Sequence, residues 1–99
     1  MLNKQEILKY LAEKKTALQS EYQITKLGLI GSFARDEQTH ESDIDVLVEF
    51  APHTEQLSEK KEGIKTLLKN RFNREVDVCR EKYIKPYFKS QILKSAIYV

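Results

Sequence analysis

The chain has 99 residues and a mass of 11.6 kDa, with 40% hydrophobic residues and a formal net charge of +2. This length predicts a single domain over residues 1–99, and the composition excludes a disordered chain. The lone Cys79 excludes an internal disulfide and a thiolate metal site. No apolar run approaches the roughly 20 residues of a membrane helix, so we expect a soluble, cytoplasmic protein without a membrane partner.

Hydrophobic periodicity predicts alternating helices and strands. A capping-box pattern at Asn3 and Glu6 opens the first helix, and the clearest strand carries Ile44, Val46 and Val48 at alternate positions. In chain order the predicted elements are a helix over 4–20, a strand over 24–30, a helical turn over 33–36, a loop over 36–42, a strand over 43–50, a helix over 54–72, a strand over 74–79 and a helix from 86 onward. This order predicts an α/β (α+β) fold, a small mixed β-sheet with helices packed on it.

Aspartates alternate with apolar residues in two of the predicted strands. Side chains two residues apart on a strand point to the same face, so Asp43 and Asp45 project together. Carboxylates held close together repel each other unless a cation lies between them, and Mg²⁺ prefers such oxygen ligands. Asp77 stands between Val76 and Val78 in the same way, so three carboxylates converge if the two strands are neighbours. Such a group can hold two metal ions for phosphoryl transfer.

A turn suited to phosphate follows the first predicted strand. Gly31 lets a phosphate approach the backbone closely, and Ser32 adds a hydroxyl donor beside free backbone N–H groups. Arg35, one turn later, offers a planar fork of donors, although a surface ion pair is an equally ordinary role for an arginine. Together with the aspartates, these residues predict a site for a metal ion and a phosphate.

Two segments, Gly31–Arg35 (GSFAR) and Ser42–Val48 (SDIDVLV), together resemble the signature of the minimal nucleotidyltransferases, small members of the polymerase-beta-like superfamily. The resemblance continues through Glu75–Val78 and into the last helix, so it covers nearly the whole chain. It implies the polymerase-beta-like fold and transfer of a nucleoside monophosphate from an NTP, ATP in particular, to an acceptor hydroxyl, with pyrophosphate leaving. By position it implies catalytic and Mg²⁺-binding roles for Asp43, Asp45 and Asp77, and nucleotide-binding roles for Gly31, Ser32 and Arg35.

Many minimal nucleotidyltransferases are similar to MntA-type antitoxins, which are encoded beside a HEPN-domain ribonuclease toxin and silence it by adenylylating a tyrosine. The resemblance therefore implies an antitoxin with a HEPN toxin as partner, in a hetero-oligomer that supplies the acceptor surface. Two alternatives stay open. The first is a non-catalytic module that masks the toxin, and the second is an RNA-modifying nucleotidyltransferase whose basic residues between 60 and 74 attract nucleic acid. The near-balance of 17 basic and 15 acidic residues disfavours nucleic acid.

One position departs from the pattern. Family members often carry Gly directly after the arginine of the first segment, where this chain has Asp36. A further carboxylate beside a triphosphate would repel it, so we expect Asp36 to point to solvent.

Overall fold

The computed structural model describes residues 1–99, which form a four-stranded mixed sheet with four helices. In chain order the elements are α1 (Lys4–Tyr22), β1 (Ile24–Ile30), α2 (Gly31–Ala34), β2 (Ile44–Phe50), α3 (Leu57–Phe72), β3 (Val76–Cys79), a 3₁₀ turn (Glu81–Tyr83), α4 (Pro86–Ser95) and β4 (Ile97–Tyr98). The α+β fold class and the order of the predicted helices and strands are confirmed. The 3₁₀ turn and β4 are additions. None of the helices combines the length and the apolar character needed to cross a membrane.

The strands are ordered β3-β2-β1-β4 across the sheet. β1 runs antiparallel to both β2 and β4, whereas β2 and β3 are parallel, so α3 serves as the crossover between them. The register pairs Ile30 with Asp45 and Asp45 with Asp77. These three residues therefore form one row across three strands, and the expected adjacency of the two acidic strands is confirmed.

The core lies between one face of the sheet and the helices α1 and α3. The alternation of β2 places Ile44, Val46 and Val48 on this face, where all three are fully buried among side chains such as Leu11 of α1. Fully burying an aliphatic side chain of this size contributes roughly 1.5–3 kcal/mol. Because this face is fixed by the core, Asp45 must project from the opposite face.

Local backbone geometry sets the helix ends. The predicted cap of α1 is present, because Asn3 Oδ1 accepts a hydrogen bond from the Glu6 N–H at 3.0 Å. α3 begins at Leu57, three residues later than the periodicity predicts. The cause is that His53 and Gln56 have positive φ angles of 63° and 58°, which no helical residue adopts.

The opposite face of the sheet is covered in part by the chain that follows β3. Glu49 of β2 anchors this segment, because its Oε2 accepts a hydrogen bond from the Glu81 N–H at 2.8 Å. Tyr98 of β4 lies over Gly28, where an added Cβ would stand 2.8 Å from the tyrosine ring. α4 contributes no fully buried residue to this cover. The face therefore stays open near its row of acidic residues.

Candidate active site

Asp45 is the centre of the site. It lies one residue inside β2, between Ile30 on β1 and Asp77 on β3. Gly31, which follows Ile30, has a φ of 76°, and a Cβ added there would collide with the Asp45 carboxylate oxygen Oδ2. The predicted phosphate turn and the predicted carboxylates are therefore brought into direct contact.

The electrostatics of Asp45 reflect its neighbours. Burial, followed by the charges of Asp77 and Asp43, raises the pKa of Asp45 to about 6, while Arg35 acts in the opposite direction. A carboxyl in this setting favours a bound proton or a nearby cation. All three predicted carboxylates are thus close enough to interact, although no three His, Cys, Asp or Glu side chains by themselves form a cage for a metal ion.

The donor chemistry of this cluster fits Mg²⁺. Hard divalent cations prefer oxygen ligands, and Mg²⁺ is commonly held by one or two carboxylates together with substrate phosphates and water. Asp45 and Asp77 share one face of adjacent strands, and Asp43 precedes β2. An incomplete set of protein ligands beside a phosphate turn is the arrangement expected when the nucleotide supplies the remaining oxygens.

The turn after β1 ends in a left-handed cap at Asp36. Glu37 N–H donates to the Ser32 carbonyl at 2.9 Å, and Asp36 between them takes the left-handed conformation, with a φ of 58°. This conformation explains why glycine suits the position. The Asp36 carboxylate is exposed and binds the Lys4 Nζ of α1 at 2.8 Å, so the prediction that it points to solvent is confirmed.

Arg35 lies at the surface beside this turn. Its Nε donates to Glu37 Oε1 at 2.7 Å. Its positive charge nevertheless offsets part of the rise in the pKa of Asp45. The structure therefore places Arg35 near the carboxylates but already paired. Its role in binding nucleotide stays a prediction.

Arg74 supports the loop that leads to Asp43, a role that the sequence did not reveal. Its Nη1 donates to three backbone carbonyls, those of Thr39 at 3.3 Å, His40 at 3.1 Å and Ser42 at 2.8 Å. The guanidinium also stacks 5.3 Å from the centre of the Phe33 ring. In the sequence Arg74 is one more member of a basic run, and no local pattern identifies distant carbonyls as its partners.

A cleft of about 390 Å³ opens on Asp77 from the side of the 3₁₀ turn and α4. Neither Gly31 nor Ser32 lines it, and among the three carboxylates only Asp77 does. Its apolar part is formed by Ile30, Val78, Cys79, Ile84, Phe88 and Ile92. The cleft is thus a separate compartment that meets the phosphate turn at the carboxylates.

Cys79 lies in this cleft as a neutral thiol. Its Sγ donates to Asp77 Oδ2 at 3.5 Å. Burial and the negative charges of Asp77 and Asp45 raise the pKa of Cys79 to about 11. Because the thiolate is the reactive form, this environment suits packing and does not suit a nucleophile.

Comparison with known proteins agrees with this geometry. A family model described as "Nucleotidyltransferase domain" matches residues 11–99. A protein of Methanocaldococcus jannaschii named "Putative protein adenylyltransferase MJ1379" is 41% identical over 96 residues, which are 95% of each chain. "Protein adenylyltransferase MntA" of Thermococcus cleftensis is 30% identical over 101 residues, covering 100% of this chain and 98% of its own.

Two solved structures have the same fold. One, "Structure of putative minimal nucleotidyltransferase", superimposes with a TM-score of 0.75 at 26% identity over 97% of this chain and 95% of its own. The other, "Crystal structure of the toxin-antitoxin with AMP-PNP", has a TM-score of 0.65 at 20% identity over 98% of this chain and 72% of that chain. Sequence, fold and the convergence of Gly31 with the acidic row agree, and the chain belongs to the nucleotidyltransferase domain family of enzymes.

Proposed function

We propose that this chain is a Mg²⁺-dependent protein adenylyltransferase that transfers AMP from ATP to a tyrosine hydroxyl of a HEPN-type toxin and thereby acts as its antitoxin. The catalytic unit is the single domain formed by residues 1–99. Two relatives that match nearly the whole chain are named as protein adenylyltransferases, and one of them is an MntA protein. A chain of the same fold was solved in a toxin–antitoxin complex with AMP-PNP.

The observation that carries the proposal is the row formed by Asp45 and Asp77 with Gly31 directly against it. A triphosphate seated on the N–H groups of Gly31 and Ser32 would bring its phosphates to the carboxylates. An acceptor entering beside Asp77 would then approach from the other side. This arrangement provides separate places for donor and acceptor, as transfer between them requires.

In the proposed reaction the acceptor oxygen bonds to the α-phosphorus of ATP while the bond from that phosphorus to the bridging oxygen breaks, and pyrophosphate leaves. The phenolic proton passes to a carboxylate of the site, with Asp77 the one that borders the open cleft. Asp43, Asp45 and Asp77 would hold Mg²⁺, which would supply neutralisation of the phosphate charge. Gly31 and Ser32 would orient the triphosphate through their N–H groups and the serine hydroxyl.

The test incubates the purified chain with Mg²⁺, the product of the neighbouring gene, and ATP labelled at either the α- or the γ-phosphate. We expect only the α-label to move onto the partner, and we expect the Asp43→Asn variant to transfer none. Glu13→Gln, which removes an exposed carboxylate from α1, is the matched control and should transfer normally.

Two results would contradict the proposal. Movement of the γ-label would identify phosphoryl transfer. If no label moves while Asp43→Asn still binds and silences the partner at equal molar ratio, the chain acts by masking. Transfer of α-label to an RNA would support the RNA-modifying alternative in place of a protein acceptor.

A further inference from the structure

The segment after β3 combines an excess of basic residues with exposed aromatic side chains. Between residues 80 and 99 there are five basic residues and one acidic residue, a balance of +4 in a chain whose total is +2. Its exposed aromatic side chains include Tyr83 at 68%, Tyr87 at 72% and Phe88 at 48% exposure. Such a concentration of exposed aromatic surface marks a site of interaction.

This surface adjoins the cleft at Asp77. Phe88 and Ile92 of α4 form one apolar wall, and Ile30 lies in the same row of the sheet as Asp45 and Asp77. Ligand sites commonly occupy about 300–1,000 Å³, so a cleft of about 390 Å³ can admit one side chain with its adjoining backbone. An aromatic side chain in it would contact apolar walls and reach a carboxylate at its polar end.

A second groove adjoins the cleft and offers room for a peptide beyond one side chain. This groove has a volume of about 350 Å³ and shares Lys61, Arg80 and Tyr83 with the first. Arg80 is positioned by Glu49, whose Oε1 lies 3.4 Å from the Arg80 Nε. The two grooves therefore lie side by side along the 3₁₀ turn.

Three lysines without a carboxylate partner lie beside these grooves. Lys61 and Lys85 line the cleft, Lys82 neighbours it in the 3₁₀ turn, and none of the three has a carboxylate oxygen within 4.0 Å of its Nζ. Unpaired lysines attract negative charge, so the acidic groups of a partner would complement them. The same lysines would be repelled by a basic segment.

We infer that the cleft between β3 and α4 is the acceptor site, and that it takes a tyrosine carried by an acidic segment of a partner protein. The inference rests on the proposed function and deepens it. The tyrosine ring packs against Phe88 and Ile92, its hydroxyl lies at Asp77, and the flanking acidic side chains meet Lys61 and Lys85. The phosphate turn is left free for the nucleotide.

The test measures binding directly, so it does not depend on turnover. Amide chemical shifts of the ¹⁵N-labelled chain are followed while a short peptide with one tyrosine between glutamates is added, and separately while the matching peptide with lysines is added. We expect the glutamate peptide to shift the amides of Cys79, Arg80 and Phe88, and the lysine peptide to shift none of them. MgATP alone should instead shift Gly31, Ser32 and Asp45.

Two variants refine the result. Lys85→Glu and Phe88→Ala should each weaken the glutamate peptide by about tenfold. The control for Lys85→Glu is Lys9→Glu, an equal charge change on the exposed face of α1, which should leave the affinity unchanged.

Several outcomes would overturn the inference: no shift of Arg80 and Phe88 with the glutamate peptide, equal shifts with the lysine peptide, or a shift of Phe88, on the wall of the cleft opposite Asp77, caused by MgATP or by a single-stranded RNA. The two experiments separate failure of this inference from failure of the proposed function. If the proposed function is wrong, no α-label reaches any partner in the transfer assay. The peptide titration still shows whether the cleft binds an acidic segment with a tyrosine.

Discussion

Gly31 lies so close to Asp45 that any side chain at this position would collide with the carboxylate. With a φ of 76°, Gly31 also has a backbone conformation that other residues adopt at a cost. Gly31→Ala should therefore destabilise the fold by about 1–3 kcal/mol and abolish nucleotidyl transfer. Urea unfolding and the α-label assay measure the two effects.

A double variant tests whether the collision with Asp45 is the cause. Asp45→Gly in the Gly31→Ala background removes the colliding carboxylate, so part of the lost stability should return, although activity should not. If the two substitutions are additive in stability, the contact between Gly31 and Asp45 is not the source of the effect.

The raised pKa of Asp45 makes stability depend on pH. In the metal-free protein the folded state keeps the Asp45 proton up to about pH 6, whereas the unfolded state loses it at about pH 4. Between these values the folded state binds more protons, so the free energy of unfolding should fall as pH rises. Asp45→Asn should remove this component and be more stable than the natural chain at neutral pH by about 1–2 kcal/mol, a value reduced for the group's partial exposure.

Urea midpoints between pH 4 and pH 8 check this prediction, with Glu13→Gln as the control for loss of an ordinary carboxylate. Addition of Mg²⁺ at neutral pH should raise the midpoint of the natural chain and leave Asp45→Asn nearly unchanged. Identical pH dependence in the natural chain and in Asp45→Asn would contradict the assignment.

Arg74 should act as a positioning residue for Asp43. Arg74→Met removes three hydrogen bonds to the loop carbonyls while keeping the length of the side chain. We expect kcat to fall by about tenfold or more with a smaller change in the affinity for ATP, because the loop before Asp43 loses three hydrogen bonds whereas the phosphate turn loses only the contact with the Phe33 ring.

Arg71→Met is the matched control for Arg74, since it removes a neighbouring arginine that contacts Tyr10 and Phe72 rather than the loop. Single-turnover kinetics and nucleotide affinity separate the two effects. An equal loss of kcat in both variants would assign Arg74 a general role in stability instead.

The alkylation rate of the Cys79 thiol should depend on the charge of Asp77. Because the pKa of the thiol is raised to about 11, alkylation by iodoacetamide at pH 8 should be slower in the folded chain than in the urea-unfolded chain. Asp77→Asn removes one carboxylate charge beside the thiol and should increase the folded-state rate by about tenfold. Asp43→Asn, whose carboxylate does not act on Cys79, should leave the rate unchanged, and acceleration in both variants would contradict the contact with Asp77.

Periodicity predicted the elements that meet the core, because burial on one face imposes a regular spacing. Asp43, Asp45 and Asp77 were accessible to the same reasoning, since their alternation with Val46, Val76 and similar residues fixes which face they occupy. Their proximity depended on a parallel pairing that the sequence only made possible. The register between β2 and β3 supplied the remaining information.

Features that depend on distant partners were outside the reach of local patterns. Arg74 contacts carbonyls more than thirty positions away, and backbone acceptors leave no mark in a sequence. β4 is two residues long and forms only because β1 offers it an edge. Gly63, which weakens a helix in isolation, is accommodated within α3 where an added Cβ would stand 2.7 Å from the Tyr22 ring.

The parallel pairing of β2 with β3 determines how local opening would inactivate the enzyme. Asp45 and Asp77 are adjacent in space only while the intervening crossover helix α3 stays packed. If α3 and β3 open as a unit, the antiparallel pair of β1 and β2 can persist while Asp77 separates from Asp45. Partial opening would then abolish activity before the chain unfolds globally. The fraction of catalytically competent molecules would be set by the local stability of α3 and of the short edge strand β3.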